Sequence, residues 1–169
     1  LNAYGRIQIE WSDEPTKRLT KLALSAMFEL LTGTIDVSAL DRLEQLELPL
    51  THVSAVKLPT NPEKLNKLNL GNTKVVTLDL TAYTHLLYLN LQNTGLKRCD
   101  LSKNTQLEQL RLGGTTIALD ENTVYDNLTY FVTADSISSL DLNQMPKLAT
   151  LEIMNDQLKF SDVKNAHQL

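Results

Sequence analysis

The chain has 169 residues, 42% apolar and 21% charged, which is enough apolar material to bury a core. A net charge of −4 argues against nucleic acid as a partner, and a single cysteine excludes an internal disulfide framework. No apolar run approaches the roughly eighteen residues of a membrane helix. Aromatic residues are only 5% of the chain while about one residue in five is leucine, so one packing solution is repeated many times.

The repeated unit is a Leu-x-x-Leu-x-Leu run. Residues 1–42 carry it in degraded form and are read as degenerate N-terminal repeats or a cap, since a solenoid end needs an atypical unit over its apolar surface. Ile7 and Ile9 alternate like the closing pair of a coil, and Leu19, Leu22 and Leu24 open the next one. The distance from there to Ile35 and Val37 is three residues longer than in later coils, which predicts a bulged or helical insertion at Ser25–Leu31.

From residue 43 to 169 the run is regular. It opens at Leu43, Leu65, Leu86, Leu107, Leu128 and Leu148, separated by 22, 21, 21, 21 and 20 residues. No helix or strand has such a period, so each unit is a whole coil of chain. Eight residues after each opening leucine stand Thr51, Thr73, Thr94, Thr115, Ser136 and Asp156. This column is read as a structural ladder whose oxygens accept from turn N–H groups buried in the stack. The apolar-Asp-Leu-hydroxyl segments Leu78–Thr81 and Cys99–Ser102 predict a second short extended stretch on the opposite wall. The coil from Leu107 breaks step, with Leu119 early and Asp120, Glu121 and Asn122 after it.

Runs such as Leu65-Asn-Lys-Leu-Asn-Leu-Gly-Asn-Thr73 and Cys99-Asp-Leu-Ser-Lys-Asn-Thr-Gln-Leu107 resemble bacterial leucine-rich repeat proteins, and more narrowly internalin-like proteins with 21-residue repeats. The resemblance implies a repeat solenoid: a right-handed coil with a parallel β-sheet on its concave face and few or no helices on the convex side. It also implies a secreted or cell-surface protein that binds other macromolecules. Departures are a threonine column where asparagine is usual and a cysteine column reduced to Cys99.

A search for chemistry gives no catalytic constellation, no metal site and no cofactor motif. His52, His85 and His167 are dispersed along the repeat, without carboxylates at ligand spacing. Asp120, Glu121 and Asp126 could hold calcium but read better as a solvated acidic loop. The chain is therefore expected not to be an enzyme. What remains is the outward row of the strands, which forms three columns. The first is Gln45, Lys67, Tyr88, Gln109, Tyr130 and Thr150; the second is Glu47, Asn69, Asn90, Arg111, Val132 and Glu152. The third is Pro49, Gly71, Gln92, Gly113, Ala134 and Met154. The mixture of aromatic, guanidinium and amide groups suits an interface. The expected binding residues are Tyr88, Arg111, Tyr130, Gln109, Asn90 and Val132, and the expected ligand is a protein, such as a host or community surface molecule. The alternatives are a structural spacer for a neighbouring domain and a glycan-binding surface using Tyr88 and Tyr130. Leu169 falls where a new coil should open, which reads as a fragment of a longer solenoid.

Overall fold

The computed structural model describes residues 6–11, 18–26, 30–133, 140–154 and 163–164. Its strands, in chain order, are β1 (Arg6–Trp11), β2 (Leu19–Ser25), β3 (Thr32–Asp36), β4 (Gln45–Glu47), β5 (His52–Lys57) and β6 (Lys67–Asn69). They continue as β7 (Tyr88–Asn90), β8 (Gln109–Arg111), β9 (Tyr130–Thr133), β10 (Leu140–Asp141), β11 (Thr150–Ile153) and β12 (Val163–Lys164). One 3-10 turn, Leu142–Gln144, is the helical element among the described residues.

Every second residue of the Leu-x-x-Leu-x-Leu run points inward, and each run becomes a short strand with a buried centre. These strands form one eight-stranded sheet in the order β1-β2-β4-β6-β7-β8-β9-β11. From β2 onward the pairing is parallel and in register, so Leu22, Leu46, Leu68, Leu89, Leu110, Phe131 and Leu151 make a single inner column. Leu46, Leu68, Leu89, Leu110 and Phe131 are all fully buried. The protein is a β-solenoid.

β1 departs from expectation. It runs antiparallel to β2, pairing Ile7 with Leu24 and Ile9 with Leu22. Ile7 and Ile9 therefore do not close a coil; they belong to a strand that covers the first edge of the sheet. Of the predicted insertion, Ser25, Ala26, Leu30 and Leu31 are not helical, and residues 27–29 lie outside the described residues.

Five coils leave the sheet, among the described residues, through a left-handed residue: Ala26, Leu50, Asn72, Asn93 and Gly114, with φ from 51° to 72°. Each lies seven residues after the first leucine of its run. Four of their amides donate to the next coil, Leu50 to the Gly71 carbonyl at 2.9 Å, Asn72 to Gln92 at 2.8 Å, Asn93 to Gly113 at 2.9 Å and Ala26 to Pro49 at 3.1 Å. Turn N–H groups are thus satisfied mainly between coils, and this corrects the role expected of the threonines except at Thr115, whose Oγ1 also accepts the Ile117 amide at 3.4 Å. Their hydroxyls donate to the carbonyl three residues back: Thr51 to Leu48, Thr73 to Leu70 and Thr94 to Leu91 at 2.8 Å, and Thr115 to Leu112 at 2.7 Å. The groups short of partners inside the turn are carbonyls. Ser136 and Asp156 lie outside the described residues.

The opposite wall is extended only in part. β3 pairs with β5 and β10 with β12, both parallel, whereas Leu78–Leu80 and Cys99–Leu101 are not paired as strands and lead into turns at Thr81 and Ser102. An aspartate recurs along this wall, in the paired stretches and the unpaired ones alike. Asp36, Asp79, Asp100, Asp120 and Asp141 each accept a backbone N–H from two residues on, at 2.9–3.1 Å, which bends the chain locally.

A further ladder runs three residues ahead of the strand motif. The Tyr83 hydroxyl donates to the Pro59 carbonyl at 2.9 Å and the Tyr125 hydroxyl to Leu101 at 3.2 Å. Between them, fully buried Asn104 donates through Nδ2 to Leu80 at 3.1 Å and Tyr83 at 2.8 Å. Each side chain ties its coil to the coil before it. Tyr125 also explains why the irregular coil from Leu107 stays in the stack.

Candidate functional site

The outer face of the long sheet is built by the residues that alternate with the buried column. Register places Tyr88, Gln109 and Tyr130 side by side on β7, β8 and β9, with Asn90, Arg111 and Val132 beside them. Five of these six form an accessible cluster. Val132 does not: it is fully buried, although alternation points it outward. Gly113 is the cause. A Cβ built there would meet Met154 Sδ at 2.5 Å, Gln92 Nε2 at 2.9 Å and Val132 Cγ1 at 3.4 Å, so Met154 and Gln92 converge over the gap beside Val132. Gln92 Nε2 lies 3.5 Å from Met154 Sδ, closing the cover. Val132 is a floor for the face, not a contact residue. Ala134 lies outside the described residues.

Side chains from successive strands interlock. Lys21 bridges Glu10 at 3.3 Å and Glu47 at 3.9 Å, and Lys67 meets Glu47 at 3.1 Å. Lys67 Nζ then lies 5.1 Å from the centre of the Tyr88 ring. Further along, Arg111 Cζ stands 4.5 Å over the Tyr130 ring, and the Tyr130 hydroxyl donates to Glu152 Oε1 at 2.5 Å. That hydrogen bond to a carboxylate raises the Tyr130 pKa, with a smaller contribution from desolvation. Asn69 and Asn90 accept the backbone N–H of Gly71 at 3.1 Å and Gln92 at 3.0 Å, fixing both carboxamides at the strand ends. Lys21, Lys67, Glu47 and Glu152 are working parts of this face that the sequence did not single out. Lys67, Glu47 and Glu152 already stood in the outward columns, and opposite charges on neighbouring coils were the available signal.

Elsewhere the geometry offers less. An open depression of mixed polarity and about 450 Å³ lies on the opposite wall, lined by Val56, Leu58, Thr77, Leu78, Asp79 and Tyr83. It forms where β5 faces a stretch that is not paired as a strand. Among the described residues no three His, Cys, Asp or Glu side chains gather as a metal site. Asp120 is spent on the Asn122 amide at 2.9 Å and the Thr123 hydroxyl at 3.1 Å. His85 lies 3.4 Å from the Thr84 hydroxyl, His52 stands on β5, and His167 is outside the described residues. Cys99 is buried, and desolvation followed by the nearby Asp100 and Asp79 pushes its thiol to about 12. No described helix is long and apolar enough to cross a membrane.

Solved structures share this architecture. The leucine-rich repeat ectodomain of the receptor kinase SOBIR1 from Arabidopsis thaliana aligns with a TM-score of 0.59 at 18% identity, over 87% of this chain and 83% of that one. The fold is that of a leucine-rich repeat domain. The functional domain of InlJ from Listeria monocytogenes, which includes a cysteine ladder, aligns with a TM-score of 0.60 at 19% identity, over 77% of this chain and 37% of that one. No family model matches the sequence, and no curated protein matches it either. This leucine-rich repeat has one cysteine, so no cysteine ladder runs through it.

Proposed function

We propose that the chain is a non-catalytic protein-binding module of a bacterial surface or secreted protein, holding its partner on the concave face of the long sheet. The observation that carries this reading is the Arg111–Tyr130–Glu152 stack, in which side chains from three strands are ordered by one another before any partner arrives. Rotamers fixed in advance reduce the entropy lost on association. Tyrosine and arginine are also the side chains that dominate binding energy at interfaces. Eight strands at about 4.8 Å spacing span roughly 34 Å, enough for a modest protein epitope. Secretion or surface location draws its support from the sequence resemblance and from the SOBIR1 match being an ectodomain.

The glycan reading is weaker. Each tyrosine has one ring face taken by a cation, Lys67 over Tyr88 and Arg111 over Tyr130. The spacer reading needs no ordered outward face. The test is affinity capture from host and microbial community extracts with the parent and with a Tyr88→Ala/Arg111→Ala/Tyr130→Ala variant. A protein captured by the parent and lost by a variant of unchanged melting temperature supports the concave site. Equal capture by both moves the site elsewhere.

A further inference from the structure

The charges of the outer face do not pair evenly. Glu47 is held by Lys21 and Lys67, and Glu10 by Lys21. Glu152 accepts the Tyr130 hydroxyl. Every acid of this network is engaged, and Lys21 and Lys67 have carboxylate partners. Arg111 has none among the described residues. Its in-register and same-strand neighbours on this face, Tyr88, Asn90, Gln109, Gly113, Tyr130 and Val132, carry no charge. Glu47 is three strands away, roughly 14 Å at strand spacing, and Glu152 holds the hydroxyl of the Tyr130 ring that Arg111 covers and makes no ion pair with Arg111.

The guanidinium is positioned by the Tyr130 ring and not by hydrogen bonds. Nε is shut off from solvent with no partner, and none of the other donors has one among the described residues. A planar fork of N–H donors held over an aromatic ring is suited to a carboxylate. The Asn90 carboxamide does not join it: its oxygen accepts the Gln92 amide and its Nδ2 lies over Gly71, on the side of β7 away from Arg111. Gln109, exposed and on the same strand as Arg111, is the second donor.

We infer that Arg111, with the Gln109 carboxamide, forms a carboxylate-recognising subsite, and that the protein bound on this face presents an aspartate or glutamate side chain there. This rests on the concave-face reading and narrows it to an acidic epitope. An incoming carboxylate meets a cation without displacing an internal ion pair, since Glu152 is engaged by the Tyr130 hydroxyl.

The test uses the intact chain and a minimal probe, N-acetyl-glycyl-glutamyl-glycinamide, titrated while the Arg111 side-chain N–H and Tyr130 ring resonances are followed by NMR. The glutaminyl peptide and inorganic phosphate serve as comparators. The expected result is a saturable shift at Arg111, with affinity for the glutamyl peptide about fivefold or more above the glutaminyl one and falling as salt is added. Arg111→Lys, which keeps the charge and loses the fork, should weaken glutamyl binding by a similar factor. Equal shifts with both peptides, silence at Arg111, or phosphate binding tighter than the glutamyl peptide each overturn the inference. If the peptide is silent while a protein partner still perturbs the outer-face amides of β6 to β9, the acidic subsite fails alone. If that partner perturbs other surfaces only, the concave reading fails with it.

Discussion

Replacing Thr73 by valine keeps the side-chain shape and removes one hydroxyl. Thr73 is 2% exposed, and its Oγ1 donates to the Leu70 carbonyl at 2.8 Å. Without it that carbonyl faces a turn sealed between coils, out of reach of water. A buried acceptor left without a partner costs about 1–3 kcal/mol, and the valine methyl recovers little because the site is already packed. Thr94 provides the internal control. It is only half-buried, and the Leu91 carbonyl also accepts the Thr94 amide at 3.4 Å, so water and a weak second donor remain. Thr94→Val should therefore cost less, roughly 0.5–1 kcal/mol. Urea unfolding followed by circular dichroism measures both, with the midpoint compared at constant slope because repeat arrays can unfold in parts. The reasoning is refuted if Thr73→Val unfolds with the parent, or if Thr94→Val is the more damaging of the two.

Three other outcomes follow from the geometry. Asn104→Ala removes one of two donors from each of the Leu80 and Tyr83 carbonyls, which keep the Tyr83 and Leu86 amides at 3.0 Å and 3.4 Å, and leaves a void, so it should lower stability by about 1–3 kcal/mol in the same urea assay. Gly114→Ala forces a Cβ into a residue at φ +72° and to 2.1 Å from Asn93 Oδ1, whereas Gly113→Ala meets only the movable ends of Met154 and Gln92; melting curves should show Gly114→Ala worse by about 1 kcal/mol. Burial raises the Cys99 thiol from 9.0 to about 12, so its contribution is complete below pH 9 and is lost as pH climbs from there to about 12. Relative to Cys99→Val, which keeps an apolar side chain at this site, the parent should lose stability progressively over that window, and an urea midpoint difference independent of pH would contradict this.

Much of the fold was legible because one residue type marks it. The opening leucines gave the period, and alternation within each run gave the inner column and its register. What stayed hidden depends on chemistry that alternation does not encode. Ile7 and Ile9 announce a strand, but nothing local specifies its direction, and β1 proved antiparallel. A threonine hydroxyl can donate or accept; only the bonds between coils at Leu50, Asn72 and Asn93 show that carbonyls were the groups in need. The Tyr83, Asn104 and Tyr125 ladder escaped notice because unlike side chains perform one task at one repeat position. At the candidate site, register was readable and cover was not. Val132 is buried by a methionine twenty-two residues later, reaching across a glycine whose missing side chain leaves the space.

The claim that the outer sheet face is the recognition surface is tested most directly by hydrogen–deuterium exchange on the chain with a captured partner. The account predicts slowed exchange in peptides covering Tyr88–Asn90, Gln109–Arg111 and Tyr130–Thr133, with the opposite-wall segments Leu78–Thr81 and Cys99–Ser102 unchanged. Protection confined to those opposite-wall segments, with the three strands exchanging as in the free chain, would contradict it.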